Sequence, residues 1–365
     1  MRQRLLKYDV MRVFAIAMVL LGHVSAYIVI NYPDPSGAEF IVGNVFNGMR
    51  RGPAIPVFLM LTGALLLNED KAFEPRRFYR RSLLPIVLLL AFWLSFYGAF
   101  YAFILPVLLG KTASAGDFVD YLLLFKGSDY PHLWYMFMTI GLYLSIPVLR
   151  LFVKRENRAY ILGFILAAMA VQFVPHTLDF LTQGCKLTLN GFMGKLHMQY
   201  AMGFTAYPLL GWYLANFPPT KARRIGLYAF ALLLAVASTI AVQFLIADIP
   251  NIRNYLYDGF ALHLLVAGAG VFVLISSLCG DRITESSVIK TLANAAFGVY
   301  AVHVVFLELF SRVLMPYDAF GPLPDSPFAR PLSYILLLFA ATYLCSLVTV
   351  LLLSRWRGLK RLFRN

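Results

Sequence analysis

Apolar residues recur along this chain in ten long runs, at roughly 9–31, 53–68, 83–109, 132–152, 159–175, 199–216, 225–247, 259–278, 291–315 and 331–354. A helix needs about 20 apolar residues to cross a hydrocarbon core about 30 Å thick. The pattern therefore predicts an all-α polytopic membrane protein with about ten transmembrane helices. The second and fifth runs are short, and the third is long enough to tilt or to break at Pro106. Short polar segments with Pro, Lys and Arg separate the runs. The second half shows no repeat of the first, and no long linker or soluble segment interrupts the pattern, so residues 1–365 read as one membrane domain. The segments 32–52, 110–131, 176–198, 248–258 and 316–330 carry Pro, Asp, Tyr and Asn, and are read as a roof over a cavity on one side.

Composition agrees with the pattern: 60% of the residues are hydrophobic and 14% are charged. A net charge of +14 would suggest nucleic acid in a soluble protein, but here the basic residues lie beside the spans. The segments 1–12, 69–82, 150–158, 217–224, 279–290 and 355–365 hold 23 of the 32 Lys and Arg residues. Positive charge stays inside, so these segments and both termini are assigned to the cytoplasm. Arg2, Arg4 and Lys7 precede the first run as they would in a signal peptide. That run carries His23, however, and reaches about Ile30 without a convincing cleavage site, so it reads as a retained helix. Cys185, Cys279 and Cys345 are scattered and lack metal spacing.

The polar residues inside the runs carry the candidate chemistry, because an ionisable group in a span is costly and marks function by default. Asp9, Arg12 and His23 lie within about 60° of one another around the first helix. Asp9 and Arg12 can pair at three residues' spacing. Anchoring at the interface is their plainer role, and an interhelical hydrogen bond is the plainer role of His23. His23 also suits general-base work, since an imidazole titrates near neutrality. It lies about 16 Å from Arg12 along the axis, and Asp9 is too far away to orient it.

Arg76, Arg77, Arg80 and Arg81 open the third run, where arginine forks suit phosphate and also meet the demand for cytoplasmic charge. His132, Trp134 and Tyr135 begin the fourth run, as an interfacial belt or a platform for a sugar. Tyr300 and His303 share one face of the ninth run. His263, the Glu308 and Arg312 pair, and Arg50 with Arg51 are weaker candidates, the last two as ligands for an anion. Phosphate-loop, nucleophile-elbow, zinc-helix and dinucleotide fingerprints do not occur.

Taken in order, these pieces resemble the acyltransferase 3 family of integral membrane acyltransferases. The match runs through Asp9-Val10-Met11-Arg12 with Gly22-His23, then Pro56-Val57-Phe58-Leu59-Met60-Leu61-Thr62-Gly63, and then the arginine-rich opening of the third run. It continues with His132-Leu133-Trp134-Tyr135, Leu142-Tyr143 and Pro147, and with Gly298-Val299-Tyr300 and His303. Within the family the chain looks closest to the bacterial O-acetyltransferases of surface polysaccharides, of the enterobacterial common antigen type. The family often sets its Arg-x-x-Arg closer to the following proline, so several registers of the four arginines are open.

The resemblance implies a multi-pass protein of the bacterial inner membrane. It implies acetyl-CoA as cytoplasmic co-substrate without a metal, and as acceptor a hydroxyl of a surface glycan or its lipid-linked precursor. The lipid bilayer and polysaccharide-synthesis proteins are the other expected partners, and nucleic acid is not one. It carries the essential histidine onto His23, as general base or transient acyl carrier, and the arginine motif onto Arg77 and Arg80. Tyr300 or His303 is the expected partner of His23. A transporter of a glycan or acylated intermediate is the alternative, since intramembrane His and Arg also mark substrate pathways; the absence of paired broken helices in two matching halves speaks against it. A scaffold for a polysaccharide synthase would need none of the buried polar face.

Overall fold

The computed structural model describes residues 4–51, 53–70, 72–123, 132–182, 191, 195, 203–249, 251–321, 326–356 and 363, without the side chains of 49–51. The described residues form α1 (Leu6–Asn31), α2 (Ala38–Arg51), α3 (Ala54–Leu66), α4 (Pro75–Leu108), α5 (Ala115–Leu122), α6 (Trp134–Phe152) and α7 (Arg155–Leu181). They continue with α8 (Ala206–Asn216), α9 (Lys221–Leu245), α10 (Ile252–Leu256), α11 (Leu262–Cys279), α12 (Ser287–Leu314) and α13 (Ala329–Leu353). Leu5 and Ile283 form an isolated antiparallel bridge.

Among the described residues, eight helices, α1, α4, α6, α7, α9, α11, α12 and α13, are long and apolar enough to cross a membrane. The protein is thus an all-α polytopic membrane protein. The second and sixth apolar runs fold as α3 and α8, of 13 and 11 residues. At about 1.5 Å per residue both fall short of a full crossing. The fifth run is longer than its hydropathy suggested, because α7 continues through His176 to Leu181. The segment 32–52, expected as roof, contains the helix α2.

Proline explains the irregular turns. Widened π-helical turns occupy Tyr79–Leu83, Phe100–Ile104, Met169–Phe173 and Phe310–Leu314. Each ends two residues before a proline: Pro85, Pro106, Pro175 and Pro316. A proline ring donates no N–H and crowds the preceding turn, and a widened turn absorbs both effects. α4 therefore passes Pro106 without breaking.

Burial sorts the helices. α1 and α12 form the centre, with Ala15, Ile16, Leu20, Val24, Val299, Ala301 and Val304 buried. α9 lies at the periphery, with Leu232, Leu233 and Phe244 exposed as a lipid-facing helix requires. α3 and α8 touch backbone to backbone. A Cβ on Gly63 would sit 1.8 Å from the Pro208 carbonyl oxygen, and one on Gly211 would sit 2.0 Å from that of Met60. Gly298 lets α12 close on α13, since a Cβ there would meet Val350 at 2.7 Å.

Candidate active site

A cavity of about 550 Å³ runs between α1, α3, α4, α6 and α12. Arg12, Val19 and His23 line it from α1, at the spacing of one helix face. α3 contributes Ile55, Phe58, Leu61, Thr62, Leu65 and Leu66, and α4 contributes Ile86. Trp134, Tyr135, Met136, Thr139 and Tyr143 line it from α6, and Ala293, Asn294, Ala296, Phe297 and Tyr300 from α12. Both ends of the polar face of α1 thus open into one space, cationic at Arg4 and Arg12 and aromatic near His23.

Three histidines from three parts of the chain meet at the inner end. The His23 and His303 rings lie 5.1 Å apart, and those of His132 and His303 lie 5.4 Å apart. His303 Nδ1 is 2.7 Å from the Tyr300 carbonyl oxygen. A carbonyl only accepts, so Nδ1 carries the proton and Nε2 keeps a lone pair. The Tyr300 hydroxyl donates to the His132 carbonyl oxygen at 2.6 Å, pinning the start of α6 to α12. The His132 ring is buried, packs against Tyr97 at 4.6 Å, and has no hydrogen-bond partner among the described residues. Tyr135 packs against both Tyr300 and Phe58, and Trp134 is part-exposed at the edge of the space.

At the arginine end Asp9 is fully buried and fully engaged. Its Oδ1 accepts from Arg12 Nη1 at 3.0 Å, and its Oδ2 accepts from Thr284 Oγ1 at 2.8 Å and from Arg4 Nε. Such a carboxylate is stable in low dielectric only with this full set of donors. Arg4 also lines the cavity. In the sequence it counts among the topology charges, because a basic residue just ahead of a span carries no separate signal.

The four arginines of α4 lie elsewhere. Arg76, Arg77, Arg80 and Arg81 are exposed, and none of them lines the cavity. Among the described residues, none forms an ion pair. Their turn flanks the cavity wall through Phe78, whose ring lies 5.5 Å from that of Tyr143. His263 is buried outside the cavity. Glu308 binds Arg312 at 2.6 Å and accepts from Tyr101 at 3.2 Å, also away from it. The side chains of Arg50 and Arg51, and Cys185, lie outside the described residues.

The arrangement joins a cationic opening to a buried imidazole cluster through a space lined by apolar and aromatic groups, which suits an anionic donor with a long neutral arm. Residues 5–350 match the family described as acyltransferase domain, which is the acyltransferase 3 family. No curated protein and no solved structure matches the chain. The match covers both ends of the cavity, from the polar face of α1 through the histidine of α12, and the chain belongs to the acyltransferase 3 family of membrane acyltransferases.

Proposed function

We propose that this membrane acyltransferase is an O-acetyltransferase. It moves an acetyl group from cytoplasmic acetyl-CoA to a hydroxyl of a surface polysaccharide or its lipid-linked precursor in the bacterial inner membrane. The observation that carries this reading is the single cavity lined by both Arg12 and His23. Eleven helical steps separate them, or about 16 Å, comparable to the reach of a pantetheine arm. Donor phosphates are held at the arginine end, with Arg76, Arg77, Arg80 and Arg81 on the cytoplasmic approach, and the thioester reaches His23.

His23 takes the proton of the acceptor hydroxyl as that oxygen attacks the thioester carbonyl. The carbon–sulfur bond then breaks, and the departing thiolate takes the proton back from the His23 imidazolium. The His303 ring lies 5.1 Å from that of His23, a neighbour that becomes cationic in this step, so His303 serves as a positioning residue for His23. Trp134, Tyr135, Tyr300 and His132 supply apolar faces and hydrogen-bonding groups for the acceptor sugar.

Purified protein with labelled acetyl-CoA and a glycan acceptor tests the reading. Acetyl transfer or slow donor hydrolysis is expected from the wild type and is lost in His23→Ala, with the variant inserted and folded. Full activity in His23→Ala, or a wild type that binds no donor and instead transports glycan, sinks it.

A further inference from the structure

Arg4 is held in place by more than its side chain. The Thr284 amide donates to the Arg4 carbonyl at 2.8 Å, and the Leu6 amide donates to the Arg282 carbonyl at 2.8 Å. These bonds tie the chain ahead of α1 to the linker between α11 and α12, with the Leu5 and Ile283 bridge between them. The Arg4 side chain then lies at the cavity opening, its Nε on Asp9 and its Nη2 on the Lys290 carbonyl at 3.4 Å. Arg12 reaches the other oxygen of the same carboxylate.

One carboxylate between two guanidinium groups leaves a net positive charge. Burial divides the three groups unequally: the Arg4 and Arg12 side chains are 35% and 33% exposed, while that of Asp9 is 0% exposed. A ligand in the cavity therefore meets the cations and not the anion. Among the described residues, Arg4 Nη1 and Arg12 Nη2 and Nε have no partner, so each fork keeps donors for a bidentate acceptor. An isolated surface arginine would lose rotamer entropy on binding, whereas these two are already fixed by Asp9, Thr284 and Lys290.

We propose that Arg4 and Arg12, arranged around Asp9, form a clamp for a diphosphate group at the cytoplasmic opening of the cavity. Asp9 and Thr284 are positioning residues of this clamp. The proposal rests on the donor reading above, under which the diphosphate is that of CoA. The same chemistry would also hold the diphosphate headgroup of a lipid-linked glycan. The exposed arginines of α4 then steer the ligand without holding it.

The test is calorimetric titration of the full chain in nanodiscs with CoA and, separately, with a short prenyl diphosphate. Arg4→Gln is expected to weaken CoA binding about 10–100-fold, the range for one lost charged hydrogen-bonding partner, with Arg4→Lys in between. In turnover, the donor KM rises while kcat at saturating donor stays within about 3-fold, because Arg4 lies remote from His23. The paired variant Arg4→Gln with Asp9→Asn removes one cation and the buried anion together. It separates lost binding from the misfolding that a buried Asp9 left with only Arg12 and Thr284 would cause. Prenyl diphosphate binding that exceeds CoA binding and falls in the same variants keeps the clamp, assigns it to lipid, and counts against the donor reading alone. Wild-type affinity for both probes in a folded Arg4→Gln protein, or no binding of either probe by the wild type, overturns the clamp.

Discussion

His23 and His303 come from helices far apart in sequence and meet as two rings 5.1 Å apart. Loss of His303 tests what that contact does. Under the proposed function, His303→Ala is expected to lower kcat about 10–100-fold with little change in donor KM, because it removes the ring beside His23 and leaves the arginine end intact. Steady-state kinetics with donor and acceptor varied separately reads this out; an unchanged kcat would reduce His303 to packing. Tyr300→Phe strips the hydroxyl that donates to the His132 carbonyl at 2.6 Å, and leaves that carbonyl only the Tyr135 amide at 3.3 Å. Losing the shorter of the two hydrogen bonds costs about 0.5–1.5 kcal/mol, so this variant should melt earlier and turn over more slowly. A thermal melt as stable as wild type would show that water or another donor replaces the phenol. The polar face of α1 was legible in the sequence because three costly residues stood in an apolar run at helical spacing. Arg4 was not legible, since a basic residue just before a span looks like any topology charge. Its significance comes from pairing with Thr284, a contact between residues 280 positions apart that no local pattern carries.

Helices α3 and α8 show how element positions rest on single residues. Gly63 and Gly211 allow their backbones to touch, and α3 supplies one whole wall of the cavity. Adding a Cβ at either glycine must push the helices apart, since the opposing atoms are backbone. Gly63→Ala and Gly211→Ala are expected to cost about 1–3 kcal/mol or more each and to lower the melting temperature of the purified protein. Activity should fall with them, because Phe58 and Thr62 move with α3. Wild-type melting in both variants would mean that the helices slide without penalty. Sequence hydropathy located both runs and the shortness of the second, but not that of the sixth, which spans 199–216 by hydropathy while α8 covers Ala206–Asn216. The helix α2 escaped hydropathy for the opposite reason: Asn44, Asn47 and Gly48 interrupt the apolar run while facing buried polar contacts. Asn44 receives a hydrogen bond from Tyr257 at 2.7 Å, and Ser25 donates to Asn47 at 3.3 Å.

Loop charge assigned one end of the bundle to the cytoplasm, and the cavity makes that assignment matter chemically. Its arginine end lies on the basic side with the α4 turn, and its histidine end lies toward the segments of Tyr32, Asp318 and Tyr317. On that opposite side two tyrosines pair with acids: the Tyr32 hydroxyl donates to Asp318 at 2.6 Å and the Tyr317 hydroxyl donates to Glu39 at 2.8 Å. Arg330 lies over the Tyr317 ring at 4.2 Å. A surplus of Lys and Arg in the segments on one side is what retention of positive charge produces. The orientation is directly measurable by single-cysteine labelling in intact cells and in inverted vesicles, with Cys185, Cys279 and Cys345 replaced by Ser. A cysteine at Arg80 is expected to react with a membrane-impermeant maleimide only in inverted vesicles, and one at Asp318 only in intact cells. The reverse pattern would place the arginine end of the cavity outside. A cytoplasmic thioester donor could then not reach Arg12 first, and the direction of transfer through the molecule would have to be inverted.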